Sequence, residues 1–498
     1  MRTNHLPSIA FAPLLMAAVC VLQLPAFGAA GRNAWGDSII SMQVTRNAYD
    51  LQQPWSKIPR TFIKTCIVIA PGELLSTAED LFDRTLVRVQ KSGRGPWWTA
   101  DVTWVDYHAN LALLTVKDAS FWKGLQPLEL VSGPLDTTKL QVARWKSGNL
   151  EMRKVDFNQY TVDDARLSFI NSLYMEFDSE MTGIGGAAPV LIGRKVAAIT
   201  CEQTENHVRA IPAAFIRGVL DAKRKNRWTG LGYFPFYWQP TENASTHAFL
   251  KLPGEPRGVV VSYVPPNPEI PENLKARDII LQVDGFDITP QGYYQDPLYG
   301  QLILENLATR NKFAGDIVKI KVWREGREEV VNYRLPKADY SSRLVPEQAF
   351  DHEPEYMIVG GLVFQPLNKP YLKSFGSDWR KSAPFRLSYF DREDPTPARP
   401  SLVVLSVVLP DAYNIGYQDL RALVVDRVNG RKISKLADLK KALEHPAGGY
   451  HVIEFIRSDS LRRIMLDAAT EPDATARVLN AYHIPKAAFF AAETSAKN

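Results

Sequence analysis

A chain of 498 residues is too long for one hydrophobic core, so roughly two to four domains are expected. Hydrophobic residues make up 45% and charged residues 23%, which excludes wholesale disorder. A net charge of +5, spread over nearly balanced acids and bases, is too mild to argue for nucleic acid or an anionic membrane as partner. The 34 prolines and 11 tryptophans favour turns and strand-rich modules over long helices.

The N-terminus sets Arg2 before an apolar run from Ile9 to Leu24, followed by Pro25-Ala-Phe-Gly-Ala-Ala30. This reads as a secretory signal peptide over residues 1–29, cut near Gly28 to Ala30, with an uncleaved membrane anchor as the alternative. No later stretch is apolar enough to span a bilayer. An exported mature chain, periplasmic or extracellular, is therefore expected. Cys66 and Cys201 remain in it. Export permits a disulfide, but sequence does not place the two together, and both read as small buried residues.

From Ser38 to Ala222 short apolar runs alternate with turns, as in Ile67-Val-Ile-Ala70, Leu86-Val-Arg-Val89, Leu111-Ala-Leu-Leu-Thr-Val116 and Lys195-Val-Ala-Ala-Ile199. Strands of this length and spacing suit an all-β barrel. Pro212 to Leu220 reads as a closing helix, and Lys223-Arg-Lys225 and Arg227 suit its C-terminus. Between two apolar runs lies Asp178-Ser-Glu-Met-Thr-Gly-Ile-Gly-Gly-Ala-Ala-Pro189.

That stretch resembles, without a gap, the nucleophile loop of HtrA/Deg-type serine proteases. Leu74-Leu-Ser-Thr-Ala-Glu-Asp-Leu81 is similar to the family segment that carries the catalytic histidine, and Asn110-Leu-Ala-Leu-Leu-Thr-Val116 to the one that carries the aspartate. The resemblance implies a mainly β protein: a trypsin-like double β-barrel over 30–225, followed by two PDZ-like α+β domains. Every catalytic position departs from the family pattern. Glu79 stands at the histidine position, Asn110 at the aspartate position and Gly186 at the serine position. The triad needs a hydroxyl to attack, an imidazole to take its proton and a carboxylate to orient that imidazole. Gly186 has no side chain, and a carboxylate with a reference pKa of about 4.3 is a weak base at neutral pH. Ile184 replaces the first glycine of the oxyanion turn, so an altered loop is expected there, because a β-branched residue resists a glycine-only backbone. Ser172, Ser179, His108 and His207 form no recognisable nucleophile–base spacing. Asp106, His108 and Glu79 read as exposed turn residues rather than a metal site, and no cofactor is implied.

Trp228-Thr-Gly-Leu-Gly-Tyr-Phe234 opens the next domain, expected over 228–337. Gly230, Leu231, Gly232 and Tyr233 resemble the carboxylate-binding loop of PDZ domains, where successive backbone N–H groups meet a peptide terminus and the peptide adds as a strand. Leu274 to Gly285 and Gly315 to Gly326 match further PDZ segments, and Tyr299 to Leu307 is expected to supply the helix beside the groove. Residues 338–399 read as an ordered, strand-bearing connector, 400–485 as a second PDZ-like domain and 486–498 as a tail. In the last domain Leu436 to Leu443 has the spacing of an amphipathic helix.

The resemblance implies a binding protein for peptide or unfolded-protein C-termini, assembled as a trimer or a multiple of trimers. Its roles would be scaffold, chaperone-like holdase or regulator of an active Deg protease. The alternative is a serine endopeptidase of protein quality control working from a non-standard site.

Overall fold

The computed structural model describes residues 35–265, 274–347, 350–456 and 463–490. The expected signal peptide and the tail beyond Phe490 lie outside the described residues. Among those residues no helix is long and apolar enough to cross a membrane.

Two antiparallel barrels come first. In the N-terminal sheet the order is Trp98–Thr99, Arg84–Lys91, Ile39–Asp50, Gln53–Ala70, Glu73–Ser76, Leu111–Thr115, Asp101–Asp106. In the second it is Asn149–Lys154, Gln141–Lys146, Pro189–Ile192, Lys195–Thr204, His207–Pro212, Asn171–Asp178, Asp156–Asp164. Strand alternation explains the packing. Ile40, Met42, Val44, Cys66 and Val68 fill the first barrel, while Ile39 and Ile67 face the core it shares with the second. The helix Ala213–Arg224 closes the pair, burying Ile216, Val219 and Leu220 and placing Lys223 and Arg224 in its last turn. Together these give the trypsin-like double barrel.

The third sheet runs Tyr237–Pro240, Val259–Tyr263, Ile279–Val283, Ile317–Arg324, Arg327–Arg334. Along Ile317–Arg324 the inward residues are Val318, Ile320 and Val322, a clean period of two. The helix expected over Tyr299 to Leu307 is not there. Tyr293–Asp296 pairs with Gly300–Ile303 as a β-hairpin, followed by one 3₁₀ turn, Leu304–Ala308. Three local features defeat the helix. Gly300 sits at φ +76°, the Asp296 carboxylate accepts the N–H groups of Leu298 (2.8 Å) and Tyr299 (3.2 Å), and Tyr294 and Leu302 turn inward on alternate positions. A short helix that sequence reasoning missed, Ala244–Phe249, is capped by Asn243, whose side chain accepts from Ser245 N–H.

The last sheet runs Arg463–Asp467, Tyr450–Phe455, Leu423–Val428, Val403–Val408, Leu362–Pro366, Tyr356–Val359, Ala488–Phe489. Tyr356–Val359 and Leu362–Pro366, strands of the expected connector, thus hydrogen-bond into the sheet of the last domain, and Ala488–Phe489 adds at its edge. The helix Leu436–Leu443 lies where its spacing puts it, burying Leu436, Leu439 and Ala442. Asn414 is fully buried and ties this unit together: its amide donates to the Gly360 and Leu409 carbonyls, both at 2.8 Å, and its carbonyl accepts from Asp411 N–H. The tip of the long hairpin formed by Ile39–Asp50 and Gln53–Ala70 reaches the last domain. Leu51 and Trp55 join its clusters, and Lys57 pairs with Glu353 at 2.7 Å.

Candidate functional site

Glu79, Asn110 and Gly186 are brought together in the cleft between the barrels. Glu79 follows the strand Glu73–Ser76, and Asn110 precedes Leu111–Thr115, which pairs with that strand. Asn110 takes a left-handed backbone, φ +51°, and its side-chain oxygen accepts the Glu79 backbone N–H at 3.0 Å. Its amide therefore bonds the main chain of residue 79 and not the side chain. The Glu79 carboxylate forms an ion pair with Arg166 at 2.9 Å. Burial raises its pKa, against the opposing pull of Lys64 and Arg166.

The residue that decides this site is one the sequence reading passed over, Lys64. Its side chain is buried. Its ammonium donates to the Thr77 hydroxyl (2.9 Å), the Thr77 carbonyl (3.2 Å) and the Glu79 carbonyl. A Cβ placed on Gly186 would lie 3.0 Å from Lys64 Cε, 3.2 Å from Thr77 Oγ1 and 3.4 Å from Lys64 Nζ. The space next to the serine position thus holds a cation whose three protons are all engaged. Burial pushes this amine down to about 8, with Glu79 opposing. A signal for it was present in the sequence. In Ile63-Lys-Thr-Cys-Ile-Val68, strand alternation puts Lys64 on the same face as Cys66 and Val68, which fill the first barrel.

The loop around Gly186 satisfies its own backbone. Left-handed φ values fall at Gly183, Gly185 and Ala187, and not at Ile184. Ile184 is buried in the second barrel and its N–H donates to Gln203 Oε1 at 2.8 Å. The Ala187 N–H meets the Thr200 carbonyl (2.7 Å), and the Ala188 N–H meets the Thr200 hydroxyl (3.0 Å). The oxyanion-turn amide of residue 184 is therefore already used inside the fold.

Asp106, His108 and Glu79 are not the exposed turn residues expected: Glu79 is buried and the other two are half-buried. Asp106 accepts from Trp228 Nε1 (3.1 Å) and Ala109 N–H (2.8 Å), and burial raises its pKa. The His108 ring stacks on Tyr340 at 3.8 Å and is hydrogen-bonded to Ser168 Oγ at 2.7 Å. His108 is covered by Tyr340, from the segment after the third sheet, and Asp106 is capped by Trp228, from the segment before it; the local sequence announces neither. Burial lowers His108 to about 4. Ser168 also accepts the Ile170 N–H, at 3.1 Å. Of the other residues considered, His207 lies 3.3 Å from Asp178, and the buried Ser179 hydroxyl accepts from Met181 N–H. Cys66 and Cys201 are free and buried, in different clusters.

Gly230, Leu231 and Gly232 are buried at the junction of the barrels and the third sheet. Leu231 belongs to the barrel core, and Tyr233 packs edge-on to Phe169 at 5.2 Å. The carbonyls of Gly230 and Leu231 accept from Ala314 and Ala338 N–H. The two glycines have separate local causes. Gly230 sits at φ +102°, and a Cβ on Gly232 would lie 2.8 Å from Leu335 Cβ. The neighbouring strand Tyr237–Pro240 is the edge of its sheet, paired on one side only, to Val259–Tyr263.

Comparison with known proteins places these features. The PDZ_3 family, described as a PDZ domain, matches residues 345–488. Protease Do-like 2, chloroplastic, of Arabidopsis thaliana is 27% identical over 466 residues, spanning 90% of this chain and 74% of that protein. Protease Do-like 4, mitochondrial, of the same plant is 23% identical over 465 residues, spanning 91% and 84%. Among solved structures, the HtrA-type protease AlgW with tripeptide aligns with a TM-score of 0.46 at 13% identity, covering 60% of this chain and 94% of that one. With similarity to Do-like proteases over nine-tenths of its length and a PDZ domain near its C-terminus, the chain is a homologue of the Deg/HtrA-like serine proteases.

Proposed function

We propose that this chain is an exported, catalytically inactive member of the Deg/HtrA group, periplasmic or extracellular, that works by binding. The carrying observation is the Lys64 ammonium packed against Gly186. Where the family's chemistry needs a hydroxyl next to a neutral base, this cleft holds a hydroxyl-free position beside a cation. The Arg166-paired Glu79 and the Gln203-bound Ile184 amide support the same reading. Its ligands are peptide or unfolded-protein C-termini, taken up through the first PDZ domain, in a homo-oligomer that serves as scaffold, holdase or regulator of an active protease. The one-sided edge strand Tyr237–Pro240 supports uptake by strand addition. The burial of Gly230 to Gly232 weighs against direct capture of a carboxylate at those amides.

The Ser168–His108 hydrogen bond favours a second reading, a serine endopeptidase working from a displaced pair. A ring held near 4 and stacked on Tyr340 is a weak base, which weighs against it. One experiment separates the two. The mature protein is incubated with a fluorophosphonate probe and with an unfolded substrate. Neither an adduct nor cleavage is expected, and labelling that disappears in Ser168→Ala would establish the second reading. Peptide binding is tested with matched free-acid and amidated C-terminal peptides. Equal affinities would remove any carboxylate role for Gly230 to Tyr233.

A further inference from the structure

A crevice of about 530 Å³ opens between the second barrel and the segment leading into the last domain. Six cations line it: Arg166, Arg209, Arg343, Lys369, Lys373 and Arg380. Three of them are spoken for. Arg166 pairs with Glu79 (2.9 Å), Arg209 with Asp163 and Glu176 (2.7 and 3.0 Å), and Lys369 with Glu347 and Asp391 (both 2.7 Å). Among the described residues Arg343, Lys373 and Arg380 form no ion pair, while only one lining carboxylate, Asp164, is likewise unpaired.

The unpaired cations are held in place by other means. The Arg343 guanidinium lies over the Phe169 ring at 5.2 Å, and that of Arg380 over the Trp379 ring at 4.9 Å. Such stacking fixes a guanidinium while leaving its edge N–H donors free. Lys373 and Arg380 are exposed and Arg343 is half-buried; partial desolvation still lowers the Lys373 pKa, with Glu347 opposing and Lys369 and Arg380 adding to it. Concentrating like charge in a concave, partly desolvated space costs stability unless an anion enters. Carboxylates neutralise three of the six cations in this crevice, and among the described residues Arg343, Lys373 and Arg380 are left without one.

We infer that this crevice is a binding site for a compact polyphosphate anion, either free or as the phosphate tail of a nucleotide. Guanidinium forks match phosphate oxygens two at a time, and the space far exceeds what a single phosphate needs. The Phe169 and Trp379 rings are each engaged by a guanidinium, so neither is assigned a role in stacking a base. Recognition rests on the phosphates.

The test is calorimetric titration of the full chain with sodium tripolyphosphate at physiological salt. Saturable one-to-one binding is expected. The triple variant Arg343→Gln, Lys373→Gln, Arg380→Gln should bind at least about tenfold more weakly, as expected when hydrogen bonds to charged groups are lost. A control that removes equal charge from exposed positions elsewhere, Arg153→Gln, Lys154→Gln, Lys225→Gln, should bind as the wild type does, and far-ultraviolet spectra should confirm that all three proteins are folded. Displacement of tripolyphosphate by ATP assigns the anion to a nucleotide tail, and its absence assigns it to free polyphosphate. Three results overturn the inference: no saturable binding at millimolar concentration, an equal loss in the control variant, or displacement by adenosine alone.

Discussion

Restoring the missing nucleophile should not restore chemistry. In Gly186→Ser the backbone presents no obstacle, because residue 186 is outside the left-handed region. The obstacle is Lys64. A new Cβ meets its Cε at 3.0 Å and the Thr77 hydroxyl at 3.2 Å, so the ammonium must shift away from its acceptors. Overpacking of a filled core costs about 1–3 kcal/mol, and a strained hydrogen bond from a charged donor adds to this, with a full loss worth roughly 1.5–3 kcal/mol. A destabilisation of about 2–4 kcal/mol follows from these two terms. The new hydroxyl would adjoin an amine that is protonated below a pH of about 8 and therefore donates rather than accepts. Glu79 would remain paired to Arg166. The measurement is urea unfolding of wild type and variant, alongside fluorophosphonate labelling at neutral pH. A covalent adduct at position 186, or an unfolding curve unchanged from wild type, would refute the reasoning.

Four further outcomes follow from the same contacts. The Lys64 amine is lowered to about 8 from 10.5, so between those values the unfolded chain holds a proton that the folded chain has released. Stability contributed by this site therefore rises with pH across that window. The unfolding free energy of the wild type minus that of Lys64→Met should increase by about 1.4 kcal/mol per pH unit there, and a pH-independent difference would contradict this. Ala187→Gly should stabilise the barrels by up to about 1 kcal/mol, since alanine at φ +62° carries a left-handed penalty that glycine escapes; thermal melts measure this. Asn414→Ala strands two carbonyls and an N–H in the last domain and should cost about 2–4 kcal/mol, read by urea unfolding. Gly232→Ala should destabilise by about 1–3 kcal/mol through its clash with Leu335, and an unaltered melt would mean that the close approach is not what requires glycine there.

Local patterns carried a large part of this protein. A short apolar run marked the strand Leu111–Thr115, which is buried on both faces, and an apolar repeat at three-residue spacing marked the helix Leu436–Leu443, which buries one face. The order of three short motifs was enough to name Glu79, Asn110 and Gly186, which the fold then gathers in one cleft. What the sequence alone left open depends on contacts between distant segments. The hairpin over 293–303 displaced a helix through one glycine and one carboxylate, choices that compete closely in isolated chain. His108 was read as exposed because Tyr340, far along the chain, is what covers it. Connector strands 356–359 and 362–366 found their sheet only through Val403–Val408. Above all, sequence determined that the nucleophile position is a glycine, whereas tertiary structure decided what stands beside it. The Lys64 ammonium reaches Gly186 because two barrels close over it, and no local rule brings those residues together.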